Sequence, residues 1–151
     1  MGQAWRIVMK KHAGTAFDGE GARLNGGRWN SIGVRVVYVS LTKSLAALET
    51  LVHLKQPVTS KYVAIPLQFD DALIESLPPA TLPAGWDAEP PSPASQQIGN
   101  DWVRTSRSTL LALPSVITGE TNYLINPAHP GFGKIKIGKP QSFTFDPRLL
   151  A

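Results

Sequence analysis

Apolar and polar positions fall into short blocks along the chain, and each change of period marks a new element. Trp5 to Met9 predicts a short first strand. Val34 to Ser40 predicts a second, because Val36, Val37, Tyr38 and Val39 are all good strand formers. The period then changes to that of a helix. Good helix formers run from Leu45 to Leu54, and Thr42 or Ser44 can cap them. At 3.6 residues per turn, Leu45, Leu48 and Val52 form one stripe, and Glu49 falls beside it on the inward side. Lys61 to Phe69 predicts another strand, with Pro66 marking an edge or a bulge. Ser92-Pro93 predicts a helix start, a cap followed by proline at the first helical position, and the helix runs to about Arg107. Leu110 to Ile117, Lys134 to Ile137 and Ser142 to Phe145 predict the remaining strands. Asn126-Pro127 and His129-Pro130-Gly131 predict a turn between them.

Two stretches lack such periods. Gly14 to Asn30 is rich in glycine and polar residues and predicts a long loop, of a length that is usually functional or disordered. Leu77 to Pro93 is dense in proline and predicts a surface excursion rather than a domain boundary. Strands and helices mix without a regular βαβ alternation. This predicts an α+β fold of mainly antiparallel sheets with flanking helices, in a single domain spanning residues 1–151.

Composition narrows the function classes. With 151 residues, 42% of them hydrophobic, the chain can bury a core. The absence of cysteine excludes disulfides, a thiol nucleophile and thiolate metal sites. His12, His53 and His129 are far apart in sequence and form no metal pair at helical spacing, so no metal site is expected. No apolar stretch is long enough to span a membrane and no secretory signal is visible. Met1-Gly2 could start a myristoylation signal, but Arg6 stands where that signal needs Ser or Thr. A cytoplasmic protein is expected. The net charge of +4 suits an anionic ligand such as a dinucleotide, and equally nucleic acid; the basic residues are scattered apart from Lys10-Lys11 and the Lys134, Lys136, Lys139 spacing.

The candidate chemistry begins in the glycine-rich loop. Gly19-Glu20-Gly21 and Gly26-Gly27 are neither a P-loop nor a Rossmann fingerprint, and turn geometry accounts for them. Arg28, directly after paired glycines, offers a planar fork of donors that fits a phosphate pair; it also fits a surface turn. Tyr38 either packs in the core or presents a ring at the mouth of a pocket. Glu49 is a carboxylate beside an apolar stripe, which is costly to bury unpaired. It either forms a structural ion pair, with Arg6 or Arg28, or faces a pocket. In a pocket it can hydrogen-bond a ribose hydroxyl and stabilise the positive charge of an oxocarbenium-like state. Ser115 lacks the surroundings of a serine nucleophile, so it is a ligand-binding hydroxyl or a strand-bend residue. Asn122 and Asn126 flank an apolar stretch, and such residues are more often turn formers than ligands.

Taken in order, several segments resemble the RES domain, the toxin half of RES–Xre toxin–antitoxin pairs. They are Gly26-Gly27-Arg28-Trp29-Asn30, Val37-Tyr38-Val39-Ser40 and Ala46-Ala47-Leu48-Glu49, then Leu113-Pro114-Ser115-Val116-Ile117, Asn122 to Pro130, and Phe145 to Leu149. The resemblance implies an ADP-ribosyltransferase-like fold and consumption of NAD⁺ as substrate, with no separate cofactor. It implies Arg28 and Glu49 as catalytic residues, and Arg6, Arg28, Tyr38, Ser115 and Asn126 as NAD⁺-binding residues. It also implies an Xre-type antitoxin as partner, with nucleic acid reached only through that antitoxin. Homo-oligomerisation is left open. The segment from Pro78 to Ser95 carries no motif of the family.

Three functions follow as expectations. The first is NAD⁺ cleavage at the nicotinamide–ribose bond, by a glycohydrolase or a phosphorylase. The second is ADP-ribosyl transfer to a specific protein. The third, of another class, is a non-catalytic module binding nucleic acid or protein, which leaves Glu49 to a structural ion pair.

Overall fold

One curled sheet organises the chain. The structure is a computed structural model, and it describes residues 1–54 and 60–150. Its strands are β1 (Gly2–Met9), β2 (Val37–Ser40), β3 (Tyr62–Phe69), β4 (Ile74–Ser76), β5 (Leu110–Pro114), β6 (Thr121–Ile125), β7 (Lys136–Ile137) and β8 (Gln141–Phe143). The order across the sheet is β4-β5-β6-β2-β1-β3-β7, and β8 also pairs with β3. Every pairing is antiparallel except β4 with β5. The α+β, mainly antiparallel expectation therefore holds, with one sheet in place of several. Among the described residues three α-helices flank it: α1 (Glu20–Asn25), α2 (Lys43–Leu51) and α3 (Pro93–Thr105). None is long and apolar enough to cross a membrane.

Strand alternation sorts the core into two sides. Ala4, Val37, Val39, Leu110, Tyr123 and Ile125 pack together with Leu67 and Phe69 on one side. Leu111, Leu113 and Leu124 pack on the other with Trp29, Val36 and Trp102, and α3 brings Trp102. Ile7 and Ala64 meet Ala46 of α2. Burying one such aliphatic side chain stabilises by about 1.5–3 kcal/mol.

Several sequence expectations change. The stretch Gly14–Asn30 is not one loop. A 3₁₀ turn at Lys10–Thr15 runs into its start and α1 lies inside it. Asp18 Oδ1 accepts from the Glu20 N–H at 2.8 Å, and Glu20 pairs with Arg23 and Arg35, so local polar contacts make a helix the apolar pattern does not show. Gly19, at φ +75°, makes the entry turn. On α2 the expected stripe is wrong in part. Leu45 is buried, but Leu48 and Val52 are exposed, and the small Ala46 makes the close contact with the sheet. Thr42 is the cap, accepting from Leu45 N–H at 3.1 Å.

Pro66 marks neither an edge nor a bulge. Strand β3 has β1 along its whole length on one side. On the other side β8 covers Tyr62–Ala64 and β7 covers Leu67–Gln68, so Pro66 falls in the gap where no N–H is required. The sequence predicts no strand at β6, because the turn formers Asn122 and Asn126 leave only Tyr123–Ile125 as an apolar run; the strand lies inside the sheet between β2 and β5. Strand β5 stops at Pro114 rather than Ile117, and Lys134 belongs to a 3₁₀ turn before β7. The α3 helix starts at the expected Ser92 cap.

Candidate active site

Three parts of the sheet converge on Glu49, which is half-buried one turn after Leu45 and Ala46. Its Oε1 accepts from Ser115 Oγ at 2.7 Å and from Asn122 Nδ2 at 2.8 Å. Asn122 Oδ1 in turn accepts from Ser40 Oγ at 2.7 Å. The carboxylate fixes the amide's orientation: only its NH₂ can face Glu49, which leaves the carbonyl oxygen for Ser40. The register sets up this chain, since Ser40 on β2 stands directly opposite Asn122 on β6.

Ser115 lies one residue past β5, where a tight turn closes through Ser115 N–H to Glu120 O and Gly119 N–H to Ser115 O. Its hydroxyl accepts from Ile117 N–H at 3.0 Å and Thr118 N–H at 3.3 Å while donating to Glu49. One proton and two lone pairs are then all engaged. Every donor on Glu49 is a neutral group. Among the described residues Glu49 joins no ion pair, so neither Arg6 nor Arg28 neutralises it. Neither arginine that the non-catalytic reading offered as a partner therefore fills that role.

Tyr38 is two residues before Ser40 on β2, so it projects to the same side of the sheet about 7 Å along the strand. Its hydroxyl donates to Asn30 Oδ1 at 2.6 Å and accepts from Trp29 N–H at 3.1 Å. Burial pushes its pKa up. Asn30, fully buried, donates from Nδ2 to Ala22 O at 2.8 Å and Val34 O at 3.0 Å. These bonds pin the Gly26–Asn30 loop to β2 and to the end of α1. Helix α3 holds the loop from above: Ser95 Oγ donates to Arg28 O at 2.7 Å and Gln96 Nε2 to Gly27 O at 3.0 Å. Gly27 has to be glycine, because a Cβ there would stand 2.6 Å from the Tyr38 hydroxyl.

The Arg28 guanidinium turns toward the proline-dense excursion. Nη1 donates to Trp86 O at 3.1 Å and Ala88 O at 2.7 Å, and Nη2 pairs with Glu89 at 2.9 Å. Trp86 stacks on Trp29 with ring centroids 5.9 Å apart. The segment without a recognised motif is thus tied to the Gly-Gly-Arg loop.

Two expected site residues stand apart from this group. Arg6 leaves β1 on the opposite side from Trp5 and Ile7, the pair packed toward α2. It donates from Nε to Ala16 O at 2.6 Å and from Nη1 to Tyr38 O at 2.9 Å. These bonds bridge the gap where β1 and β2 part after their single register pair, Trp5 with Ser40. Burial pulls its pKa down to about 10, against the opposing effect of Asp18. Asn126 is buried after β6, and its Oδ1 accepts from Ala128 N–H at 3.0 Å, which caps the following turn.

The structure therefore brings Glu49 and Ser115 into contact and puts Tyr38 and the Arg28 loop on the same side of the sheet. It does not bring Arg6 or Asn126 into contact with Glu49. Ser40 is a candidate site residue that sequence reasoning missed, and Asn122 is one it weighed as a turn former, whereas it lies in β6 and donates to Glu49. The available signal was polarity at inward positions of apolar strands, where a lone polar group needs a partner. Two open clefts around Lys10, Ser60 and Lys61 contain none of these residues. A carboxylate held by neutral donors, with an arginine-bearing loop on the same side of the sheet, suits an anionic substrate whose reaction develops positive charge.

Known proteins resemble this chain over nearly its whole length. Residues 3–146 match the RES domain family. A Sphingobium protein called Prs ADP-ribosylating toxin is 43% identical over 97% of this chain and 95% of its own length. A Yersinia enterocolitica protein called Toxin Res is 36% identical, over 96% of this chain and 97% of its own. The fold is shared with a chain of the M. tuberculosis MbcT-MbcA toxin–antitoxin complex. The TM-score is 0.78 at 16% identity, covering 95% of this chain and 84% of the other.

Proposed function

The chain belongs to the RES domain family, and from that premise we propose that it is the toxin of a toxin–antitoxin pair and cleaves NAD⁺ at the nicotinamide–ribose bond. The observation that carries this reading is the state of Glu49. Its carboxylate is oriented by Ser115 and Asn122 and neutralised by no cation among the described residues. Such a group keeps its charge available for an oxocarbenium ion.

Arg28 binds the pyrophosphate through its guanidinium fork. Tyr38 contributes its ring at the nicotinamide end, since its hydroxyl is engaged by the loop. Glu49 hydrogen-bonds the nicotinamide ribose. As the C–N bond breaks, its electron pair leaves with nicotinamide, which departs neutral. Glu49 stabilises the positive charge left on the anomeric carbon. Ser115 acts at the site through Glu49 and not as a nucleophile. Arg6 acts through the Tyr38 carbonyl and Asn126 through the turn after β6, so both hold the frame of the site without touching Glu49. The acceptor of the ADP-ribosyl group is water or inorganic phosphate. The expected partner is an Xre-type antitoxin, and the substrate is the cytoplasmic NAD⁺ pool; the shared fold with a toxin–antitoxin complex supports the pairing.

The name of the Sphingobium relative, an ADP-ribosylating toxin, favours a second reading, transfer of ADP-ribose to a protein. One experiment separates the readings: the purified protein is incubated with NAD⁺, with and without phosphate, and products are identified by NMR. ADP-ribose indicates hydrolysis, and a phosphorylated ADP-ribose indicates phosphorolysis. Modified protein bands from labelled NAD⁺ in lysate, without bulk NAD⁺ loss, support the transferase. Unchanged NAD⁺ in both assays excludes both.

A further inference from the structure

Arg28 is assigned above to the pyrophosphate, yet in the free protein its guanidinium already holds an anion of the same chain. Nη2 pairs with Glu89 Oε2 at 2.9 Å. The two partners differ sharply in exposure: the Arg28 side chain is 15% exposed and that of Glu89 is 77% exposed. The arginine also has a second kind of anchor, since Nη1 donates to the backbone carbonyls of Trp86 and Ala88. These carbonyl bonds, together with the Trp86–Trp29 stack, fix the head group and the segment to each other. The Glu89 carboxylate is the one part of this arrangement that can leave into water without breaking another contact.

We propose that Glu89 is an affinity-determining residue for the anionic part of the substrate. Its carboxylate occupies Nη2 of Arg28 in the free protein and yields it to a pyrophosphate. This rests on the reading of Arg28 given under Proposed function. Both ligands are oxyanions recognised by the same N–H donors, so they compete for one site. The exchange is easy in both directions. The released carboxylate returns to full solvation, and an exposed ion pair contributes little. The carbonyl bonds to Nη1 persist through the exchange, so the guanidinium stays aimed while its anionic partner changes. The proline-dense excursion thus has a role in the site: it positions the arginine through its backbone and sets the arginine's affinity through one side chain.

The test is a calorimetric titration of NAD⁺ and of nicotinamide riboside, which lacks the pyrophosphate, in an E49Q background that prevents turnover. The variants are E89Q, R28K and R28K/E89Q, at low and high salt. E89Q is expected to tighten NAD⁺ binding by up to about five-fold at low salt, the scale of an exposed ion pair. The gain should shrink at high salt, be absent for nicotinamide riboside, and be lost in the R28K pair. Unchanged or weaker NAD⁺ binding in E89Q, with R28K impaired, would overturn the competition while leaving Arg28's role in place. If R28K binds NAD⁺ as well as the parent, the pyrophosphate reading fails and the proposal falls with it. Thermal melts of each variant check that the fold is retained; Glu89 is exposed enough for E89Q to leave it unaltered.

Discussion

The hydroxyl proton of Ser115 goes to Glu49, over 2.7 Å, and both oxygen lone pairs are filled by the N–H groups of Ile117 and Thr118. Ser115 is therefore an orienting group for the carboxylate in the free protein. Ser115→Ala should lower kcat about ten- to a hundred-fold, the scale of a misplaced catalytic group, with little change in KM. Steady-state NAD⁺ consumption separates this from a ligand contact, which would raise KM instead. Stability should also fall by about 1–3 kcal/mol, because two turn N–H groups lose their acceptor.

Glu49→Gln keeps an oxygen that can accept from Ser115 and Asn122, and removes only the charge. Turnover should drop about a hundred-fold or more, with an unchanged thermal melt. Near wild-type NAD⁺ cleavage by this variant would sink the role given to Glu49.

Asn122 links Ser40 to Glu49 across β2 and β6. Asn122→Ala should reduce kcat as Ser115→Ala does. The double variant should fall short of the product of the two single losses, since both donors serve one oxygen. A fully multiplicative loss in the kinetic cycle would show that the two donors act independently.

Tyr38→Phe leaves the Trp29 N–H and Asn30 Oδ1 without their shared partner. Denaturant unfolding should show a loss of about 1–3 kcal/mol. Gly99→Ala should be worse, because a Cβ at position 99 would overlap the Trp29 carbonyl oxygen where α3 crosses the loop. Both variants loosen the Arg28 loop, so NAD⁺ affinity should fall with stability.

Glu20 supplies a pH dependence. Hydrogen bonding to Arg23, with the charges of Arg23 and Arg35 and against an opposing desolvation, lowers its pKa from 4.5 to about 2. A depressed folded-state pKa gives stability that is present above 4.5 and lost as pH falls toward 2. Glu20→Gln should flatten this part of the acid limb. Equal acid slopes for the variant and the parent in denaturant melts across that window would refute the assignment.

Local chemistry determined much of this protein. The strand at Val37–Ser40, the Ser92 cap, the helix carrying Glu49 and the Gly-Gly-Arg loop all follow from propensity and spacing within a few residues, and the ordered segments point to the family. What the sequence did not disclose lies between elements. Glu49 meets Ser115 at a separation of 66 residues and Asn122 at 73, while Ser40 meets Asn122 at 82. No local period encodes such pairings; they depend on strand register, where a slip of one residue turns each side chain to the other face. The same register sends Arg6 away from Trp5 and Ile7, into the gap between β1 and β2. Only the packed excursion reveals that Arg28 holds Glu89, 61 residues away. The sequence alone placed Arg28 and Glu49 on a loop and a helix. Tertiary structure decided that neutral donors orient Glu49 and that the two residues do not neutralise each other, because register and packing choose each side chain's partner.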